Sequence, residues 1–219
     1  MKEQQKKYEL TDEFIEHWSG KKLYRIRALV TFGAVMAGQL GGFIESEKNL
    51  DQSLYGDAWV YGNARVYGNA LVYGDARVCG NARVYGDARV YGDAWVYGNA
   101  RVYGNALVYG NARVYGNARV YGDAWVYGDA RVYGNARVES YAVISERKMI
   151  FGASNVGSEN GTLTVFNGKD GLIVTRGCFT GTVDEFLAKS AKVHDDKTKN
   201  EYKLLIEVAK SRILGVKDE

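Results

Sequence analysis

Small apolar residues alternate with larger side chains along the middle of the chain, in a pattern that repeats every six residues. From Tyr55 to Val138 the phrase Tyr-Gly-(Asn/Asp)-Ala-X-Val occurs fourteen times without insertion or deletion, and Cys79 is the one departure at its first position. Within each hexad, Ala and Val alternate with X and Tyr, as in a strand with one face inside. Gly-Asn and Gly-Asp tolerate left-handed backbone angles, so they predict a corner. A fixed period of this kind indicates a repeat architecture and outweighs any local interpretation.

Three six-residue sides make a triangular coil of eighteen residues, and such coils stack about 4.8 Å apart as parallel sheets. Ala and Val are small enough to fill a narrow interior, whereas X and Tyr cover the outside. The chain has no proline, which would remove a backbone donor from these sheets. The pattern therefore predicts a mainly β, triangular parallel β-helix of about five to six coils.

The segments on either side of the hexads are predicted to cap the open ends of this helix. Residues 1–42 are predicted to form an N-terminal β cap, with a hairpin turn at Ser19-Gly-Lys-Lys22. Residues 43–144 are predicted to form the β-helix, including degenerate hexads within 43–54 and 139–144.

Residues 145–219 are predicted to form a C-terminal α+β cap. Two strands, Gly161–Phe166 and Gly171–Thr175, precede the capping box Thr182-Val-Asp-Glu185, which opens a helix to about Val193. A second helix is expected from about Lys199 to Leu214, with its apolar face covering the last coil.

The hexads, together with Leu23-Tyr-Arg-Ile-Arg-Ala-Leu29 and Ala37-Gly-Gln-Leu-Gly-Gly-Phe-Ile-Glu45, resemble the left-handed parallel β-helix proteins of the hexapeptide-repeat superfamily. The resemblance covers Leu23 to Ile144 and implies a left-handed coil. It extends to small bacterial and prophage proteins of unknown function that are classed as transferases on fold analogy. The tail segments Ser154-Asn-Val-Gly157 and Gly177-Cys-Phe179 look like those of phage-borne relatives, and this likeness implies no role for the tail.

The eighteen-residue period assigns each X residue, and the Tyr two positions later, to one of three sides. The Arg side carries an Arg row and a Tyr row: Arg65, Arg83, Arg101, Arg119 and Arg137, with Tyr67, Tyr85, Tyr103 and Tyr121. The Trp/Arg side carries Trp59, Arg77, Trp95, Arg113 and Arg131. The Leu/Trp side carries Leu71, Arg89, Leu107 and Trp125, with Tyr73, Tyr109 and Tyr127 among its tyrosines.

Charge is unevenly divided among these sides. The whole chain has 29 basic and 26 acidic residues, a net charge of +3, which gives no global signature of a polyanion binder. Within residues 55–138 the Arg side sums to +5, because its corners are all Asn, while the other two sides sum to −1 each. The polar N-terminus, the two cysteines and the lack of a long apolar run favour a cytoplasmic protein without a membrane contact.

Catalytic chemistry is not expected in the hexads. Superfamily acyltransferases typically use a histidine base beside a projecting loop, and the β-helical carbonic anhydrases use three histidine ligands. Here the hexads contain neither a histidine nor a loop, and the chain has two histidines, His17 and His194. We therefore expect no catalytic residue, metal or cofactor in the array. A transferase site in the C-terminal cap, with Cys178 as nucleophile and His194 as base, stays open as an alternative.

Two surfaces are predicted to bind. The Arg side suits an acidic protein, or nucleic acid if Arg contacts phosphates and Tyr stacks on bases. The Leu/Trp side presents an apolar stripe that predicts self-association into a homo-oligomer. The sequence thus favours a non-enzymatic interaction scaffold, of which a phage-encoded inhibitor of a host protein would be one instance.

Overall fold

The computed structural model describes residues 5–139 and 141–215. The N-terminal segment contains three strands: β1 Tyr8–Glu16, β2 Lys22–Ala28 and β3 Leu40–Ile44. Strands β1 and β2 form the predicted hairpin, and the N–H of Gly20 donates to the carbonyl of His17 over 2.8 Å. Strand β3 pairs antiparallel with β2 and leads into the repeats.

Each hexad contributes one short strand at its X-Val positions. The fifteen strands of the repeat region are β4 Trp59–Val60, β5 Arg65–Val66, β6 Leu71–Val72, β7 Arg77–Val78, β8 Arg83–Val84, β9 Arg89–Val90, β10 Trp95–Val96, β11 Arg101–Val102, β12 Leu107–Val108, β13 Arg113–Val114, β14 Arg119–Val120, β15 Trp125–Val126, β16 Arg131–Val132, β17 Arg137–Val138 and β18 Val143–Ile144.

These strands form three parallel sheets whose neighbours are eighteen residues apart in the chain, which makes the cross-section three-sided. The Arg side is β3-β5-β8-β11-β14-β17, extended by β2 and β1. The Trp/Arg side is β4-β7-β10-β13-β16, and the Leu/Trp side is β6-β9-β12-β15-β18. The mainly β solenoid of about six coils is confirmed, whereas its left-handed sense stays a prediction.

The interior is built from the alanines and valines of the hexads, each at most 5% exposed. Trp59 occupies an X position on the outside of the coil, yet it is only 1% exposed. The rings of Tyr8 and Phe32 cover it, with centroids 6.1 and 5.4 Å from its own. The N-terminal segment therefore packs on the start of the Trp/Arg side as well as extending the Arg side.

Degenerate hexads lie at both ends of the regular array, where they were predicted. Phe43 and Ile44 pair with Arg65 and Val66, and Leu50 bridges to Val72, so the chain already follows two sides of a coil before Tyr55. At the other end β18 pairs with β15.

The C-terminal segment forms an antiparallel sheet and two helices: β19 Ile150–Val156, β20 Gly161–Gly168, β21 Gly171–Arg176, β22 Phe179–Thr182, α1 Val183–Val193 and α2 Asp196–Leu214. The capping box is present, since the backbone N–H of Glu185 donates to Thr182 Oγ1 and Glu185 Oε2 accepts from the N–H of Thr182. Helix α2 begins three residues before its predicted start, with Asp195 as its N-cap.

The C-terminal sheet, rather than the second helix as predicted, covers the last coil. Phe166 of β20 is fully buried in the same core as the coil interior, and Asn167 Nδ2 donates to the carbonyl of Val143 over 3.1 Å. Tyr202 and Ile206 of α2 belong to a second core on the opposite face of the sheet. The sheet thus separates the helices from the solenoid.

Candidate functional site

The Arg side places its predicted residues together. Strands β5, β8, β11, β14 and β17 pair Arg65, Arg83, Arg101, Arg119 and Arg137 with one another in register. Each of these side chains is partly buried. The corner beside them carries an asparagine row, in which Asn81, Asn99 and Asn117 each donate to the next asparagine over 3.1 to 3.3 Å. The five guanidinium groups therefore stand in one straight row.

The Arg row has no acidic counterpart of its own. Among residues 5–139 and 141–215, none of its five guanidinium groups lies within 4.0 Å of a carboxylate oxygen. Like charges about 4.8 Å apart repel one another, and nearby anions relieve that repulsion. The row is consequently a positive surface without an ion pair among the described residues, and the nearby Glu139 hydrogen-bonds Tyr121 instead.

The Tyr row stacks on itself. Neighbouring rings from Tyr67 to Tyr121 have centroids 4.8 to 5.0 Å apart and planes within 2° of parallel. The ring of His17 lies 4.7 Å from that of Tyr67 and covers that end of the row. The ring faces between neighbours are therefore occupied by other tyrosines.

Among the hexad arginines, the cation–π contacts of the described residues lie on the Trp/Arg side. Arg77 and Arg113 lie on the two strands that flank the strand of Trp95, and their guanidinium carbons are 5.3 and 5.4 Å from the centre of its ring. Because a tryptophan ring is the best acceptor and has no stacked partner in its row, it takes both cations. The tyrosines of the Arg side offer no such free faces.

Burial raises the pKa of Tyr67, Tyr85 and Tyr103, although neighbouring arginines act to lower it. The pKa of Tyr121 is also raised, first by burial and then by a hydrogen bond to Glu139. These hydroxyls therefore stay protonated at neutral pH and add no negative charge beside the arginines.

The N-terminal strands lengthen the Arg side in a way that the sequence did not predict. Arg25 of β2 stacks over the ring of Phe43, 4.3 Å away, and Phe43 pairs with Arg65. Arg25 is neutralised by Glu13, 2.9 Å away, so it adds little free charge. The predicted hairpin turn places β2 beside β1, but the register of β2 against β3 was not predicted.

The Leu/Trp side also gathers its predicted residues, with one interruption. The strand order places Leu71, Arg89, Leu107, Trp125 and Val143 in one row. Trp125 is 48% exposed, and Arg89, between the two leucines, is exposed as well. Tyr73, Tyr109 and Tyr127 stack in a parallel row that includes Tyr91. The apolar stripe is thus divided by one cation.

Cys178 and His194 line the same pocket in the C-terminal cap, of about 230 Å³. Cys178 is exposed, while His194 Nδ1 lies 3.1 Å from Ser190 Oγ and its ring packs edge-on to Tyr202. No carboxylate of the described residues orients this imidazole, since Asp195 accepts from the backbone of Thr198 instead. The pocket keeps the alternative of a C-terminal site open.

The described residues contain no group of three or more His, Cys, Asp or Glu side chains placed to hold a metal ion. No described helix is long and apolar enough to cross a bilayer.

Comparison with known families agrees with the solenoid. Eight segments match the family model described as the YdcK beta solenoid repeat: residues 58–74, 64–80, 76–92, 82–98, 95–110, 100–113, 112–128 and 130–146. No curated protein matches the chain. The fold and these matches define a repeat β-solenoid protein. Its repeats are similar to YdcK solenoid repeats, whereas likeness to the transferases of the hexapeptide superfamily stays a prediction.

Proposed function

We propose that this protein is a non-enzymatic scaffold whose Arg side binds an acidic surface of a partner protein. The observation that carries the proposal is the Arg row: five in-register guanidinium groups with no carboxylate within 4.0 Å among the described residues. Arginine is favoured at interfaces because its planar fork donates two hydrogen bonds to one carboxylate. A rigid row presents several such forks at once, without the entropy cost of ordering a loop.

The geometry favours a protein over nucleic acid as the partner. A base can stack on an aromatic side chain when the ring face is free. The faces in the Tyr row are closed by rings 4.8 to 5.0 Å away, so phosphate contacts would remain without base stacking. Nucleic-acid binding through the Arg and Tyr rows is accordingly the second candidate.

Charge reversal tests the proposal. The triple variant Arg83→Glu, Arg101→Glu and Arg119→Glu changes the row from five positive charges to two positive and three negative. We expect its affinity for poly-L-glutamate to fall by on the order of a hundredfold or more at low salt, since several charge-assisted contacts are lost. The matched control is Arg77→Glu, Arg113→Glu and Arg131→Glu on the Trp/Arg side, which has the same net charge and should bind far more tightly than the first variant.

Fluorescence anisotropy at several salt concentrations measures this binding, with circular dichroism to verify that both variants fold. Equal losses in the two triple variants would show that net charge alone governs binding and would refute the proposal. A single-stranded oligonucleotide that binds more tightly than poly-L-glutamate, and is lost in the Arg-side variant alone, would favour the second candidate.

The partner's identity follows from capture by the native chain. A phage-encoded inhibitor of a host protein would be one instance of such a binder, and two free cysteines fit a cytoplasmic home. Wild-type bait and the Arg-side variant, compared in one host extract, separate specific partners from background. Capture of the same proteins by both baits counts against the Arg side.

We also propose that the chain forms a homo-oligomer through the Leu/Trp side. Trp125 is 48% exposed on a parallel sheet beside a stacked tyrosine row, and large aromatic residues are enriched at interfaces. The position of Arg89 within the row would have to be matched by an acceptor on the facing copy.

The remaining candidate is a transferase with Cys178 as nucleophile, supported by the pocket that Cys178 and His194 share. An activated cysteine reacts with iodoacetamide faster than a small thiol does, and its reactivity depends on its base. Under the scaffold proposal, Cys178 in a Cys79→Ser background reacts no faster than glutathione, and His194→Asn changes nothing. Rapid alkylation that His194→Asn abolishes would favour the transferase.

A further inference from the structure

A polar cleft lies where the end of the Arg side meets the C-terminal sheet, and of its lining residues only Arg119 and Arg137 belong to a surface predicted from the sequence. Its volume is about 370 Å³, within the range of small-molecule sites. Every lining residue is polar or glycine, and none is acidic: Asn117, Arg119, Asn135, Arg137, Asn155, Asn160, Gly161, Thr162, Thr164, Thr175, Arg176 and Gly177. The cleft therefore collects three cations and no anion.

Arg176 is held in a fixed position at this cleft. Its Nε donates to Tyr202 Oη over 3.0 Å, and one terminal nitrogen donates to the carbonyl of Val156 over 3.1 Å. The other terminal nitrogen lies against Gly161, where an added Cβ would come within 2.4 Å of it. A side chain at position 161 would therefore displace this guanidinium from its present position.

Arg137 joins the two halves of the cleft. Its guanidinium donates to the carbonyl of Gly177, and its own carbonyl accepts from Thr175 Oγ1 over 2.8 Å. Arg119, the next member of the Arg row, makes no side-chain hydrogen bond to another described residue. Arg119 is therefore free to turn toward a ligand, whereas Arg137 and Arg176 are anchored.

Hydroxyl groups complete the wall. Thr164 is 1% exposed, yet it lines the cleft, so its side chain is set into the wall rather than projecting from the surface. Thr162 Oγ1 lies 3.3 Å from Ser154 Oγ. Guanidinium groups surrounded by hydroxyl and amide donors make an environment that favours an oxyanion.

We propose that this cleft binds a phosphate-bearing small molecule. Three guanidinium groups exceed what one carboxylate neutralises, whereas a phosphate ester or pyrophosphate carries two or more charges and several acceptor oxygens. Part of the cleft comes from the last two arginines of the solenoid and part from the C-terminal sheet, so binding would also fasten the cap to the coil.

Calorimetric titration with inorganic pyrophosphate, at constant ionic strength, tests this site. We expect saturable binding to the full-length protein with one ligand per chain. Arg119→Gln should weaken it by on the order of tenfold or more, because one charge-assisted contact is lost without disturbing the joint at Arg137. The matched control Arg131→Gln removes the same charge on the Trp/Arg side and should leave the affinity unchanged within about twofold.

A second variant separates a built site from general attraction. Thr164→Val keeps the shape and the net charge but removes a hydroxyl from the wall, so pyrophosphate affinity should fall several-fold while poly-L-glutamate binding is unaffected. Absence of saturable binding to the wild type, or equal losses in Arg119→Gln and Arg131→Gln, would overturn the proposal.

Discussion

At the residue scale, the corner glycines meet two separate requirements. From Gly62 to Gly134 they have positive φ angles, between 58° and 73°, which side chains with a Cβ adopt at a cost. Most of them also face the glycine of the next coil. At Gly98, for example, an added Cβ would lie 3.0 Å from the backbone nitrogen of Gly116. Backbone angle and stacking distance thus select glycine independently.

These two requirements can be measured apart. Gly134 has a φ of 66° and nothing within 4 Å of an added Cβ, whereas Gly98 has a φ of 71° and the close contact to Gly116. We expect Gly134→Ala to lower the free energy of unfolding by about 1–2 kcal/mol, from the backbone angle alone. Gly98→Ala should lower it by more, and urea unfolding followed by circular dichroism measures both. Equal losses would mean that the neighbouring coil imposes no constraint.

At the element scale, the sequence predicted the features that follow from the six-residue period. It did not predict how the two end segments pack against the solenoid. The three sheets and their side-chain rows follow from a frame that no insertion disturbs, so Arg65 and Arg137 could be placed on one side in advance. The burial of Trp59 and the stacking of Arg25 on Phe43 depend on how the N-terminal strands pack against the coils. The cleft depends on the C-terminal sheet in the same way. None of these three features depends on the six-residue period, so the repeat pattern does not predict them.

The tyrosine rows predict a loss of stability at alkaline pH. Burial, as the largest cause, raises the pKa of ten tyrosines in the folded protein: Tyr8, Tyr61, Tyr67, Tyr73, Tyr85, Tyr91, Tyr97, Tyr103, Tyr109 and Tyr121. Above pH 10 the unfolded chain ionises first, so the folded state holds more protons and loses stability as the pH rises. Lys7, whose pKa burial lowers, acts in the opposite direction as a single group.

Thermal melts across the alkaline range measure this effect. Tm should be nearly constant from about pH 7 to about pH 9 and fall steeply above about pH 10. The double variant Tyr85→Phe and Tyr103→Phe keeps the stacked rings but loses two ionisable hydroxyls, so its Tm should fall less over the same range. If its alkaline loss equals that of the wild type, the tyrosines are not the cause.

At the scale of the whole molecule, the solenoid has a distinct chemistry on each side, a C-terminal sheet over its last coil and N-terminal strands packed at its first. Closure matters because parallel strands leave unpaired backbone groups at both ends, which would otherwise pair with another chain. Phe166 fills the end of the last coil, and Tyr8 with Phe32 closes part of the first. Lateral association through the Leu/Trp side does not depend on these ends.

Substitutions on the Leu/Trp side test self-association. The wild-type protein should have the mass of an oligomer in size-exclusion chromatography with light scattering, and Leu107→Glu with Trp125→Glu should reduce it to a monomer. The control, Tyr115→Glu with Tyr133→Glu, places the same two charges on the Trp/Arg side and should leave the mass unchanged. A wild-type monomer at high concentration contradicts the proposed interface.

The near identity of the hexads also affects how the stacking register of the coils is determined. Interior positions repeat as Ala and Val in every layer, so a slip of eighteen residues would leave the core as well filled as before. Contacts that occur once each, at the two ends, distinguish the native register from a slipped one. Trp59 packs against Tyr8 of the first strand, and the carbonyl of Val143 accepts from Asn167. A gene that gained or lost one eighteen-residue coil would therefore encode a longer or shorter solenoid with the same two ends. The number of arginines in the Arg row would change by one with each coil.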